Sequence, residues 1–160
     1  NEFVSEQFMR VAATRQPLGI LFMDVDHFKR FNDTYGHQTG DRVLVELAQC
    51  LVRVMPPNAL VARFGGEEFA VVLPGMDRMS AARLAEATRQ SIEQTTIREE
   101  NGNLLNITAS IGVASHDGTF FEKVEHLIKA ADQGVYAAKS GGRNCVRVFT
   151  PKPKPQRVPA

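Results

Sequence analysis

Four carboxylates stand where two apolar runs break off. The run "LGILFMDVD", residues 18–26, ends in Asp24 and Asp26. In an extended strand, residues two apart turn their side chains to one face. The stretch "RFGGEEFAVVLP", residues 63–74, places Glu67 and Glu68 in a two-glycine turn between apolar runs. A turn needs only one or two polar residues, and adjacent glutamates repel unless something positive lies against them. If the two segments are neighbours, three or four carboxylates converge at one edge of a sheet. Oxygen ligands without a cysteine or histidine cluster suit a hard cation, Mg²⁺ above all, with substrate phosphates completing its shell. The competing reading has the acids capping strand ends in solvent, as charged hairpin tips often do.

Periodicity indicates the elements that place these groups. Residues 2–15 have helical spacing with Phe3, Phe8, Val11 and Ala12 apolar, and Gln16-Pro17 stops the helix. The near-continuous apolar run 18–26 suits a central strand covered on both faces. "HFKRFNDTYG" makes a short helix or turn with Gly36 as breaker, and Val43, Leu44, Leu47, Leu51 and Val52 mark a second amphipathic helix. "MPPNA" breaks that helix. Residues 59–64 and 69–73 read as two strands across the Gly65-Gly66-Glu67-Glu68 turn. A third helix covers about 80–94, with Leu84, Ala85 and Ile92 inward. "ENGN" predicts a hairpin turn at Asn101-Gly102, followed by one long strand through Ser115. A fourth helix covers about 122–140, with Leu127, Ile128, Ala131 and Val135 inward and Gly141-Gly142 ending it. "NCVRVF" closes the sheet. Strands paired through hairpins as well as across helices make the class α+β with a mostly antiparallel sheet.

Composition removes several function classes. The chain has 160 residues, 43% hydrophobic and 23% charged, which is the length and make-up of a single globular domain. A net charge of +1 gives no field for nucleic acid or a membrane surface. No apolar run approaches the ~18 residues of a membrane span. Cys50 and Cys145 are the only cysteines, which favours a reduced cytosolic domain over a disulfide scaffold. The domain is expected over residues 1–150. The proline-alternating basic segment 151–160 reads as a disordered tail.

The order "DVDHFKRFNDTYGH", "GD", "RFGGEEF", "SIGVA" and "ADQGVYAAKSGGRN" resembles the GGDEF family of diguanylate cyclases over most of residues 18–148. The resemblance implies a ferredoxin-like, polymerase-palm-like core with a central five-stranded sheet flanked by helices, as in nucleotidyl cyclases. It implies condensation of two GTP into cyclic di-GMP and two pyrophosphates by an antiparallel homodimer holding one GTP per subunit. Mg²⁺ or Mn²⁺, two ions per half-site, would be held by Asp24, the Val25 carbonyl and Glu67. The third signature residue here is Glu rather than Asp; either supplies a carboxylate. Glu67 is the usual candidate for proton acceptor, and the residues alone do not assign it. Asp26 is a supporting ligand or a hydrogen-bonding group at the strand end, and Glu68 supports the turn or a second ion.

The same resemblance implies the substrate contacts. Phe28 and Lys29 stand at a helix start, where free N–H groups suit phosphate. Lys29 would stabilise the phosphorus centre; otherwise it is a surface lysine. Asn32 and Asp41 would read guanine, Asp41 accepting from N1–H and the 2-amino group, which adenine lacks. Read locally, both are capping residues, with Asp41 an N-cap of the second helix. His37 would touch ribose or order the loop. Gly65 and Gly66 would leave room for the nucleotide, and as turn residues they also permit positive φ. Lys139 and Arg143 would hold the β- and γ-phosphates; as cations at a helix C-terminus they also suit its dipole.

Two departures stand out. The product-inhibitory Arg-x-x-Asp falls in register on Pro56 and Ala59, so that remote site is expected to be lost. The family's opening motif is absent, which suggests a catalytic domain regulated by an upstream sensor. The implied setting is the bacterial cytosol, with this domain free or part of a larger or membrane-anchored protein. The alternative from another class is a weakly catalytic relative that binds GTP or cyclic di-GMP and signals by protein contact.

Overall fold

A computed structural model of the chain describes residues 2–152, so residues 153–160 of the expected tail lie outside the described residues. The elements run α1 (Glu2–Thr14), β1 (Leu18–Val25), α2 (Phe28–Tyr35), α3 (His37–Val54), β2 (Leu60–Arg63), β3 (Glu68–Pro74), α4 (Arg78–Gln94), β4 (Thr96–Arg98), β5 (Leu104–Asn106), β6 (Ala109–His116), α5 (Val124–Ser140) and β7 (Val146–Val148). Five strands form one sheet in the order β2-β3-β1-β6-β7. Every pairing in it is antiparallel except β6 with β7. The expected α+β class with a mostly antiparallel five-stranded sheet is what the chain adopts.

β1 is the centre, and all eight of its residues are buried. A strand covered on both faces can be apolar at every position, which is why it reads as a continuous run rather than an alternation. Leu21, Met23 and Val25 pack with Val43, Leu47 and Leu51 of α3 and Ala81, Ala85 and Ile92 of α4. Leu18, Ile20 and Phe22 join Val4 and Val11 of α1 and Leu127, Ala131 and Val135 of α5. The α1 helix is held further by Phe8, whose ring stacks on buried His116 with centroids 4.1 Å apart. Among the described residues, no helix is long and apolar enough to cross a membrane.

Three expectations are corrected. Val52 is 66% exposed, because the buried stripe of α3 runs through Val43, Leu47, Cys50 and Leu51, and position 52 turns about 100° past it. For the same reason Ala12 faces solvent while Val4 joins the core. The single long strand after Asn101-Gly102 is two strands in two sheets. β5 pairs with β4 around Gly102, which adopts φ 90°, whereas β6 belongs to the main sheet. The chain bends at Ile107-Thr108: Ile107 is buried in the core, and the Thr108 carbonyl accepts from the Asp26 N–H at 2.9 Å.

Candidate active site

The register brings acids to one edge. Asp24 lies opposite Glu68 of β3 and Ser110 of β6, so the three side chains share the α5-facing side of the sheet. Asp24 is only 5% exposed. One of its oxygens, Oδ2, accepts from Lys139 Nζ at 2.5 Å, across 115 residues of chain. The other, Oδ1, is buried and accepts no hydrogen bond. The Val25 N–H donates to the Glu67 carbonyl at 3.3 Å, tying the two-glycine turn to the end of β1.

Glu67 faces this pair. Its carboxyl is pushed above the ordinary value of 4.5, first by burial and then by the Asp24 charge and hydrogen bonding to Asp24; Glu68 adds to the rise and Lys139 opposes it. Two ionised carboxylates cannot bond one another, so a proton on Glu67 would supply the donor that Asp24 lacks. A cation would serve both. Two facing carboxylates with an unused buried oxygen make an oxygen donor set that fits a hard divalent ion. The convergence is narrower than four acids, however. Among the described residues, no three His, Cys, Asp or Glu side chains group as a ready metal cage. Glu68 instead turns back over the turn, its Oε2 lying 3.0 Å from where a Cβ on Gly65 would sit.

Asp26 is fully engaged elsewhere. Its oxygens accept from Thr108 Oγ1 at 2.7 Å, Ser110 Oγ at 2.6 Å and the Asn144 N–H at 2.9 Å. That is the hydrogen-bonding role at the strand end, and it leaves Asp26 joining β1, β6 and the loop after α5. The loop itself is unusual. Gly142, Arg143 and Asn144 adopt φ 109°, 65° and 45° in succession. A left-handed non-glycine residue costs roughly 1–2 kcal/mol, less for asparagine. Asn144 offsets it with side-chain bonds to Arg89 Nη1 at 2.9 Å and to Glu93 of α4. Asn144, expected at the start of the closing strand, lies in this left-handed loop instead, and the strand begins at Val146; an asparagine soon after Gly-Gly was its signal.

The remaining candidate residues lie on α2, on α3 and in the loop after α5. His27 closes β1 in a left-handed conformation, φ 55°, and starts α2 without a side-chain cap. Phe28 is buried at that start and Lys29 is exposed beside it. Asn32 Oδ1 is buried, makes no hydrogen bond and lies 1.7 Å from where a Cβ on Gly40 would be, so the amide occupies the space that Gly40 leaves. His37 is the exposed first residue of α3, whose N-cap is Gly36. Asp41 is therefore not the N-cap: the helix starts at His37, and Asp41 sits exposed a turn further along. Arg143 is exposed.

The turn glycines also differ from expectation. Neither Gly65 nor Gly66 adopts positive φ. Arg63 fixes the turn instead, donating from Nε to the Gly65 carbonyl at 3.2 Å and from Nη2 to the Gly66 carbonyl at 2.6 Å. A Cβ on Gly66 would meet nothing within 4 Å. The positive-φ reason for two glycines therefore falls away. A cleft of about 600 Å³ lies at the opposite end of β1, among Pro17, Asp77, Ser115, Asp117 and Phe120, far from the carboxylate pair.

Comparison with known proteins shows the family and the fold. The family described as "Diguanylate cyclase, GGDEF domain" matches residues 1–145. The response regulator PleD of Caulobacter vibrioides is 42% identical over 131 residues, covering 81% of this chain. The chain spans only 29% of PleD's length. The GGDEF domain of DgcB from Caulobacter crescentus, solved with c-di-GMP, superimposes with a TM-score of 0.86 at 32% identity, covering 92% of this chain and 86% of that one. The active GGEEF domain of a diguanylate cyclase from Vibrio cholerae gives 0.86 at 32% identity, covering 94% of each chain. With its Gly65-Gly66-Glu67-Glu68-Phe69 signature on the turn beside Asp24, the chain belongs to the GGDEF family of diguanylate cyclase domains.

Proposed function

We propose that this domain condenses two GTP into cyclic di-GMP, each subunit of an antiparallel homodimer presenting one GTP. The observation that carries the reading is the Asp24–Glu67 pair, with its unused oxygen and raised proton affinity, beside an open two-glycine turn. In each of two steps the 3′-hydroxyl of one GTP attacks the α-phosphorus of the other. A P–O3′ bond forms, the bond to the β-phosphate breaks, and pyrophosphate leaves. Asp24, the Val25 carbonyl and Glu67 are the groups that would hold Mg²⁺ or Mn²⁺. When bound, the ions supply charge neutralisation at the triphosphate and acidify the attacking hydroxyl.

The chain's own residues do the rest. Glu67, with its raised proton affinity, accepts the hydroxyl proton. Lys29, at the uncapped start of α2, offsets charge growing on the phosphorus oxygens. Lys139 and Arg143 hold the outer phosphates. Asn32 and Asp41 select guanine, and Gly65 and Gly66 let the nucleotide lie against backbone. An active relative with the GGEEF signature supports Glu as the third residue.

Feedback is exerted at this same half-site. The segment 56–59 is a turn, with the Ala59 N–H on the Pro56 carbonyl at 3.0 Å, and neither Pro56 nor Ala59 can provide the charged grip of a remote product site. The test is incubation with GTP and Mg²⁺, with products resolved by chromatography across a hundredfold protein dilution (roughly the span over which mass action shows). Specific activity is expected to rise with protein concentration, and added product to compete with GTP. Flat specific activity would sink the two-half-site scheme, and tight non-competitive inhibition would reveal a second product site.

Base choice gives a sharper prediction. Because Asp41 caps nothing, Asp41→Ser is expected to leave the melting temperature within about a degree, as surface substitutions do. A site built to hydrogen-bond a group rejects analogues by leaving its own polar atoms unpaired. Removing Asp41 is therefore expected to reduce the GTP-over-ATP preference by roughly tenfold or more. Competition between equimolar GTP and ATP measures it, and an unchanged preference would remove Asp41 from the base site.

A further inference from the structure

We propose that Lys139 is an internal cation that holds the Asp24 carboxylate until a divalent ion arrives together with a triphosphate, so that ion and nucleotide enter by exchange of two ion pairs. This rests on the site assignment under Proposed function and adds an order of events to it. The Lys139 ammonium sits 2.5 Å from Asp24 Oδ2, with the Asp24 side chain 7% exposed and the Lys139 side chain 34% exposed. The carboxylate is thus fixed in the interior while the ammonium, at the last turn of α5, has a way out to solvent. The ammonium pairs with Asp24 Oδ2 alone and leaves Asp24 Oδ1 without a hydrogen-bond partner.

A divalent ion arriving alone meets a like charge already on its ligand. It must displace the ammonium, which then stands beside a dication with no acceptor of its own. A triphosphate arriving with the ion removes both difficulties, because phosphate oxygens accept the displaced ammonium while the ion takes Asp24. Coupling of this kind is reciprocal, so the nucleotide must tighten the ion by the factor that the ion tightens the nucleotide.

The experiment measures Mn²⁺ binding by electron paramagnetic resonance in the absence of nucleotide, and again with a GTP analogue carrying a methylene between its α- and β-phosphorus atoms. The parent domain is expected to bind Mn²⁺ weakly alone and more tightly with the analogue. Lys139→Met and Lys139→Gln are expected to bind Mn²⁺ alone about tenfold more tightly than the parent, and to lose most of the gain from the analogue. Each is also expected to be stabilised by Mn²⁺ in thermal melts more than the parent is, because Asp24 has lost its partner. Arg147→Met removes the same charge from β7, beside Gly141 at the end of α5 and outside the assigned site, and is expected to leave nucleotide-free binding within about twofold. Equal nucleotide-free affinity in the parent and both Lys139 variants overturns the exchange. So does an equal gain in Arg147→Met, which would make the effect one of general charge. Asp24→Asn separates this from the site assignment: if it retains Mn²⁺ affinity, the ion lies elsewhere and the assignment itself fails.

Discussion

Glu67→Gln is expected to lower turnover by at least about two orders of magnitude, the range for a lost general base or metal ligand, without weakening the fold. Gln keeps the volume and loses both the charge and the proton-accepting oxygen. The stability half of the result follows from linkage. Folding raises the proton affinity of Glu67, chiefly by burial and then through Asp24, so the folded metal-free domain holds this proton more firmly than the unfolded chain. That contribution is fully present below the ordinary value of 4.5 and is lost as pH rises through the folded value. At neutral pH the ionised carboxylate is therefore a burden that Gln does not carry. Melts of metal-free Glu67→Gln and parent between about pH 4 and pH 7 are expected to diverge in favour of Gln as pH rises. A variant that forms product at the parent rate would remove Glu67 from the reaction.

Gly112→Ala is expected to be the most damaging single methyl group in the chain. A Cβ at Gly112 would lie 1.9 Å from the Ala131 carbonyl oxygen and 2.6 Å from the Val135 nitrogen. Both are backbone atoms of α5, so no side chain can swing aside. Gly134 is the reciprocal contact, its own Cβ position falling 2.7 Å from Gly112 Cα. Strand β6 and helix α5 touch backbone to backbone there, and α5 is the helix that delivers Lys139 to Asp24. Forcing them apart costs at least about 3 kcal/mol on the scale of core overpacking. For a domain of this size that is a fall of roughly 6–12 °C in melting temperature. Activity is expected to fall with it, since the ammonium moves with the helix. A melt within about 2 °C of the parent would mean that β6 and α5 are not packed this closely.

Much of this protein was legible from neighbours in the chain. Gly36 ends α2 at φ 88° as a glycine breaker should, and Asn101-Gly102 turns the β4–β5 hairpin with Gly102 at φ 90°. The central strand announced itself because burial on both faces permits an unbroken apolar run, and the acids that end it fall at the site edge. Hairpin pairing of the strands carried the α+β class, and the five motifs carried the family.

Long-range contacts settled the rest. Asp26 reads like Asp24 two residues away, yet it bonds Thr108, Ser110 and Asn144, at separations of 82, 84 and 118 residues. Asp41 has the composition of a cap, but packing of Asn32 against Gly40 and the turn at Gly36 start α3 at His37. The run after Gly102 reads as one strand, and divides because Ile107 is drawn into the core while the Thr108 carbonyl is taken by Asp26. Gly112 looks like any strand glycine until Gly134 of α5 lies on it. The physical reason is common to these cases. Propensity and periodicity describe what a segment prefers when its surroundings are averaged. A buried carboxylate or a missing Cβ is decided instead by the one atom opposite it, and folding alone brings that atom there.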